Sequence, residues 1–424
     1  MKRTLLLSLA LVLAAASASA QGITMGAMNG WMFSFSGNVN AFLTYTSPSC
    51  NNGNTTCDYQ GNLIPVSPEQ KVARITTGLA PAFAIFEAKG KEGGIDLGVH
   101  FGFAPEIQSP YRVHDNCGGG FGLQCGTQID MREVYLTAGG SWGQILAGRA
   151  LGVYQKENLL TDMTVFGVGL GGGGAAGVGT TLGHIGTGYT YPNFNAQMTY
   201  STAGNKPGQF SIGLFDPSII NPQDGQCCFN VTQSPRLEAE YTYTKHTGAA
   251  GSSDKIMFYA SGLLANVKNS NTGVGIKSSV TPWGLAGGVE WNGAGGLQLD
   301  GSGFYQAGVG STLMFTDGLA IDATGELRTS YGYLLQAQYQ MKDSKWLFGA
   351  SYGLNHLSQT SDDKPANSNI DFIMKDNSSI VGAATYKYTK SLRAVLEYTY
   401  GSSAAYNNNK STSSGVAAGL MLFF

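Results

Sequence analysis

The chain is predicted to be all-β: a transmembrane antiparallel barrel of about sixteen strands, with a loop folded inward after the fifth. Three observations predict it. The last ten residues, GVAAGLMLFF, alternate Val416, Ala418, Leu420, Leu422 and Phe424 with Ala417, Gly419, Met421 and Phe423, and they stop on an aromatic. An apolar set of period two with a terminal Phe suits a closing strand whose outer face meets lipid. After residue 20 no apolar run approaches the roughly 18 residues that a spanning helix needs. Segments of period-two alternation run throughout, joined by connections that are short and long by turns, as periplasmic turns and extracellular loops are.

Taken in order, the strand-like segments are 31–45, 71–88, 95–104, 128–138 and 144–148, then after a long break 188–202, 209–215, 236–245, 255–267 and 280–291. The last six are 297–307, 331–341, 346–354, 379–388, 393–400 and 414–424. An even number suits a barrel with both termini on one side. The long connections are 46–67, 105–127, 149–187, 216–235, 268–279, 308–330, 355–378 and 401–413. All six cysteines fall in them. In an exported chain they suggest disulfides: Cys50 with Cys57 and Cys117 with Cys125 as local staples, and the adjacent Cys227 and Cys228 as a strained ring or as bridges to other loops. The pairing stays open.

Export is read from the other end. Lys2 and Arg3 precede an apolar run from Leu5 to Ala15, and Ala18-Ser19-Ala20 is a small-x-small cleavage pattern. Residues 1–20 are therefore expected to be a signal peptide, and 21–424 the barrel, placed in the outer membrane with its lipid as a partner. Taking Lys2 and Arg3 from 25 basic residues leaves 23 against 27 acidic, a formal charge of −4. That balance gives no reason to expect nucleic acid as a partner.

The later strands show their faces. Tyr331, Tyr333, Leu335, Ala337, Tyr339 and Met341 alternate with Gln336, Gln338 and Gln340, and Leu396, Tyr398 and Tyr400 with Arg393, Glu397 and Thr399. The apolar sets are expected on lipid and the polar sets in the lumen. Glu238, Glu240, Glu290, Asp300, Lys387, Arg393 and Glu397 all fall on the polar parity. A barrel of this width is too wide for side chains to fill, so its interior should hold water.

Residues 149–187 carry the function. They hold Lys156, Glu157 and Asp162 and then a Gly-rich run. That run matches GxGxxG at Gly167, Gly169 and Gly172, but without a βαβ context it reads as a tight bend rather than a dinucleotide site.

Here the sequence resembles the trimeric, sixteen-stranded porins of Gram-negative bacteria. REVYLTAGGSWGQILAGRALGVYQKENLLTDM (132–163) looks like that family's stretch from a wall arginine through a turn to the constriction loop. VARITTG around Arg74 is similar to its first wall-arginine strand. The resemblance implies a basic side made of Arg74, Arg132 and Arg149 facing an acidic side made of Asp162 and Glu157. It also implies a homotrimer. The family continues Thr-Asp-Met with Leu-Pro-Glu-Phe-Gly-Gly-Asp, whereas here Thr164-Val165-Phe166-Gly167-Val168-Gly169 follows, so the narrow point should be less acidic. Parity adds a tension: an inward Arg132 carries Val134 and Leu136 inward and turns Glu133 and Tyr135 outward, which is awkward against lipid and fits either a subunit contact or an Arg132 that lies above the membrane.

The expected function is a water-filled channel for passive diffusion of small hydrophilic solutes and ions. A substrate-specific channel for sugars or anions, or an adhesin, is the alternative. The five histidines lie in no recognised nucleophile–base motif, so no enzyme is expected. No cofactor is expected either. No CxxC is present, and Asp317–Glu326 lacks EF-hand spacing, so no metal is expected.

Overall fold

The computed structural model describes residues 22–26, 30–51, 57, 59–64, 71–107, 129–171, 180–204, 207–220, 229–248, 252–270, 275–363 and 373–424. The signal-peptide reading of 1–20 lies outside them. So do Cys117, Cys125, Cys227 and Cys228.

Sixteen wall strands close on themselves. They are β1 (Met32–Cys50), β2 (in two pieces, Val72–Thr76 and Phe83–Glu92), β3 (Ile95–Pro105), β4 (Ile129–Gly140), β5 (Gly143–Leu151), β6 (Phe194–Ser201), β7 (Gly208–Phe215) and β8 (Arg236–His246). The second half comprises β9 (Lys255–Leu264), β10 (Trp283–Asn292), β11 (Leu297–Ala307), β12 (Thr329–Gln340), β13 (Trp346–Leu357), β14 (Met374–Lys387), β15 (Leu392–Ala405) and β16 (Lys410–Phe423). Each pairs antiparallel with its neighbours in sequence, and β16 pairs with β1 from Asn38↔Phe423 to Cys50↔Ser411. Closure leaves no unpaired edge, the condition for backbone in lipid. A short strand, Ile23–Gly26, pairs with β1 from Ile23↔Phe35 and continues the line where β16 ends. Gly37 and Phe424 exchange backbone hydrogen bonds at 2.9 and 3.1 Å, and the Phe424 ring lies 5.1 Å from that of Phe35.

The alternation sorts as expected. On β16, Val416, Leu420 and Leu422 are about half exposed, whereas Ala417, Met421 and Phe423 are buried toward the inside. Tyr331, Tyr333, Leu335, Tyr339, Leu396, Tyr398 and Tyr400 are exposed on the outer face. Aromatics gather at both rims. Trp346, Tyr386 and Tyr388 pack edge to face at the end with short turns, and Trp283 lies against Tyr305 at the other. These are the two belts a barrel places at the membrane interfaces.

Two strands depart from the simple pattern. The expected continuous strand 71–88 is interrupted at 77–82. That stretch leaves the wall because its amides have partners inside: Leu79 N and Ala80 N donate to Gly167 O and Val165 O at 2.9 and 3.0 Å. The strand expected from 188 starts only at Phe194, since Pro192 and the positive φ (59°) of Asn193 end the loop there.

The tension at Arg132 is resolved by a bulge. Between β3 and β4 the register runs Gly102↔Glu133 and then Phe103↔Met131, which leaves Arg132 as the extra residue. Glu133 and Tyr135 are buried inside, Leu136 is about half exposed outside, and Arg132 still reaches inward. The expectation that Glu133 and Tyr135 face outward is therefore corrected: the bulge, not a subunit contact, frees Arg132 from its strand's parity.

Above the wall, the long loops have cores of their own. Ile220, Phe229, Val267, Val280, Val309, Phe315 and Ile321 form one, and Tyr59, Leu319, Ile373 and Met374 another. Cys50 and Cys57 are joined by a disulfide at the base of the first long loop.

Candidate functional site

The segment from Gly152 to Asn193 leaves the wall after β5, crosses the lumen and returns at β6. Polar side chains on the inner wall hold its described residues, 152–171 and 180–193. Glu238 on β8 accepts from Val153 N and Tyr154 N, both at 2.9 Å. Across the barrel, Glu397 on β15 accepts from Val168 N and Gly169 N at 2.9 and 2.8 Å. Each carboxylate thus caps two consecutive amides, a small anion nest built from loop backbone. Gly167 is required for this approach, because a Cβ there would collide with the Glu397 carboxylate.

Amides of the wall complete the fastening. Gln155, held at positive φ (61°) before the single-turn helix α1 (Lys156–Leu160), accepts from Thr190 N at 2.8 Å and donates to Gln306 at 3.1 Å. Gln336 accepts from Met163 N and donates to Thr161 O and to Asp300. Asn40 accepts from Gly78 N and donates to Ala80 O, which ties the inward stretch of β2 to the same assembly.

At the centre is Asp162. Its carboxylate accepts from Thr164 N and Thr164 Oγ1 at 2.8 and 2.7 Å, from His184 N at 3.2 Å and from Tyr189 Oη at 2.8 Å, and it meets His184 Nδ1 at 3.1 Å. Burial by itself would raise its pKa, but the histidine and the threonine donors outweigh burial and hold it below the ordinary carboxylate range. His184 Nε2 in turn lies 3.2 Å from Ser351 Oγ on β13. Asp162, His184 and Ser351 therefore fall in the order of a nucleophile relay. His184 is fully buried and Ser351 is 6% exposed, so the row presents no face to a substrate. It works as a fastening between loop and wall.

The candidate residues separate into groups. Asp162 is inside the loop rather than across open water from the wall arginines. Arg149 is exposed on the outer parity of β5 with Ile145, opposite Val134. Lys156 pairs with Glu240 and lies 3.8 Å from Glu157. Burial would lower the lysine, but Glu240 and Glu157 outweigh it and raise it; burial is what raises Glu157. Lys255 pairs with Glu290 at 2.9 Å. Glu240, Glu290 and Asp300 are nearly covered on the β8–β11 side, as are Glu238 and Glu397 under the loop. The lumen acids expected in water are thus largely enclosed. Lys387 and Arg393 remain partly open, the first donating to Gln340 and the second lying 4.8 Å from the Phe423 ring.

Arg74 shares the inner parity with Thr44 and has no carboxylate partner among the described residues. Arg132 pairs with the half-exposed Asp130 at 2.8 Å and lies over the rings of Phe83 and Phe194 at 6.0 and 5.6 Å. What faces it from the loop is mostly apolar: Leu159, Leu160, Val165 and Phe166, with Tyr191 the polar member. The residues that hold the loop (Asn40, Gln155, His184, Tyr189, Gln306, Gln336) carry no motif that sequence reading could find.

Residues 7–411 match the sequence family described as Gram-negative porin. The fold is similar to that of the outer membrane channel DcaP of Acinetobacter baumannii, at TM-score 0.68 and 14% identity, covering 94% of this chain and 99% of that one. It is also similar to an anion-selective porin from Comamonas acidovorans, at TM-score 0.57 and 13% identity over 93% and 100% of the two chains. A third similar structure is OmpT, an outer membrane protein of Vibrio cholerae solved in a trimer form, at TM-score 0.52 and 13% identity over 93% and 100%. At these identities the likeness establishes the fold. No curated protein matches the chain.

Proposed function

The chain belongs to the Gram-negative porin family, outer-membrane channels for passive diffusion, and from that premise we propose how this one narrows and selects. The loop at 152–193 sets the narrow point. Arg74 and Arg132 form its basic side, and the channel prefers anions. Residues 1–20 direct export, and the working unit is a homotrimer, as in the Vibrio protein solved in trimer form.

One observation carries the selectivity: apart from the half-exposed Asp130 on Arg132, the acids that should balance the wall arginines are engaged elsewhere. Asp162 is bonded to Thr164, His184 and Tyr189, and Glu238 and Glu397 are bonded to loop amides. On the β8–β10 side Lys156 and Lys255 are paired with Glu240 and Glu290, and Glu157 lies 3.8 Å from Lys156. Fixed charge at the narrowest water path sets ion preference. Arg149, on the outer face, has no part in it.

The zero-current potential across a planar bilayer in a KCl gradient tests this. Chloride should be favoured over potassium. Arg132→Gln and Arg74→Gln should each lower the ratio by roughly tenfold, since one charge at about 6 Å in water acts about threefold on each ion and with opposite sign on the two. A ratio that neither substitution moves would place both arginines away from the ion path.

A further inference from the structure

We propose that the crevice between the loop and the wall at Arg132 is a binding subsite for short-chain alkyl carboxylates. The proposal rests on the diffusion-channel reading above and gives it a substrate class. The crevice is a cavity of about 80 Å³ lined chiefly by Pro81, Phe83, Arg132, Leu159, Phe166 and Phe194. One cationic head and the phenol of Tyr191 meet an otherwise apolar surface.

The head is held and yet available. Phe83 and Phe194 lie 6.0 and 5.6 Å from the guanidinium carbon and fix it by cation–π attraction. Its described ion-pair partner, Asp130, has a side chain half exposed, so the pair contributes little and an incoming carboxylate can compete with it. A guanidinium also presents a planar fork that matches a carboxylate with two parallel hydrogen bonds. The β4 bulge is what puts it there; a regular strand would give Arg132 the outward parity of Leu136.

The remaining lining decides what the anion must carry. A hydrated chloride gains nothing from Leu159, Phe166 or Pro81. A hydroxyl placed against Pro81, Leu159, Phe166 or Phe194, away from the Tyr191 phenol, has no partner there, which costs energy for each unpaired group. An alkyl body loses only its contact with water, which favours entry. Size then selects within the class. Cavities near 150 Å³ are known to take benzene, so about 80 Å³ suits a body of a few carbons rather than a ring. The floor of the crevice is rigid, because Leu79 and Ala80 of the inward stretch are bonded to the loop backbone at Gly167 and Val165.

The test compares sodium butyrate with sodium 3-hydroxybutyrate as blockers of chloride current through the full-length channel in planar bilayers. Butyrate should reduce the current saturably, and the hydroxylated analogue should need about tenfold more, as expected for one unpaired buried hydroxyl. Arg132→Gln should abolish block by both, while Arg132→Lys should keep part of it. Leu159→Asn should bring the two anions to similar potency. The chloride current itself reports that each variant has folded and inserted. Equal potency of the two anions in the parent channel, or butyrate block that survives Arg132→Gln, would overturn the subsite and leave the diffusion channel standing. Absence of any chloride current in the parent protein would overturn both.

Discussion

Replacing Glu397 with alanine is expected to open the channel, raising single-channel conductance severalfold and adding current noise. Glu397 is 3% exposed and is the acceptor for two loop amides at the far end of the segment from its attachment at β5. Removing it leaves Val168 N and Gly169 N without their side-chain acceptor, at about 1–3 kcal/mol for each buried donor. A loss of that size shifts a docked segment more than tenfold toward its released state. Glu397→Gln keeps an oxygen for the same amides and should fall between the two. Gly167→Ala should imitate the alanine variant from the other side, since its new methyl collides with the Glu397 carboxylate. Current traces in planar bilayers check all three. Parent-like conductance in both Glu397→Ala and Gly167→Ala would mean that the loop is held without this contact.

The second large effect is expected at Asp162. Asp162→Ala removes the acceptor shared by Thr164, His184 and Tyr189. Leaving these buried donors without their acceptor costs about 1–3 kcal/mol for each, so the loop should lose its fixed shape while the barrel still forms. Resistance of the barrel to protease, together with new cleavage inside the loop, would show that division. Titration supplies a companion result. A carboxyl whose folded pKa lies below its unfolded value stabilises fully above the unfolded value, near about 3.9, and loses that contribution as pH falls through the lower folded one. Burial opposes this direction at Asp162, but the His184 and Thr164 contacts prevail. The parent channel should therefore stay quiet at about pH 5 and become noisy only below about pH 4. Noise that begins near neutral pH would assign the fastening to another group.

The wall was readable because its physics is local. Period-two alternation from Tyr331 to Met341 or from Val416 to Phe424 states which face meets lipid, and a turn such as Lys342–Lys345 states where a strand ends. The Cys50–Cys57 staple was among the pairings that spacing left open. Three features were not readable, each for a stated reason. The bulge at Arg132 is a register shift against β3, visible only once both strands are paired. The break in β2 at 77–82 depends on acceptors at Val165 and Gly167, far along the chain. The carboxylates of Glu238 and Glu397 look like pore-lining acids in sequence, and their engagement with loop amides 85 and 229 residues away follows from closure of the barrel. Asp162 illustrates the same limit. Its place in the constriction motif pointed to the water path, whereas His184 and Tyr189 draw it into the loop interior.

The most direct test of a loop that crosses the lumen and sets the pore is its removal. Leu151 and Phe194 face each other in the β5–β6 register, so residues 152–193 can be replaced by a two-residue Asn-Gly turn of the kind that joins paired strands. Single-channel conductance of that variant should rise well above the parent's, with chloride preference reduced toward the mobility ratio of the salt. Conductance and selectivity equal to the parent's would place the narrow point elsewhere and contradict the account.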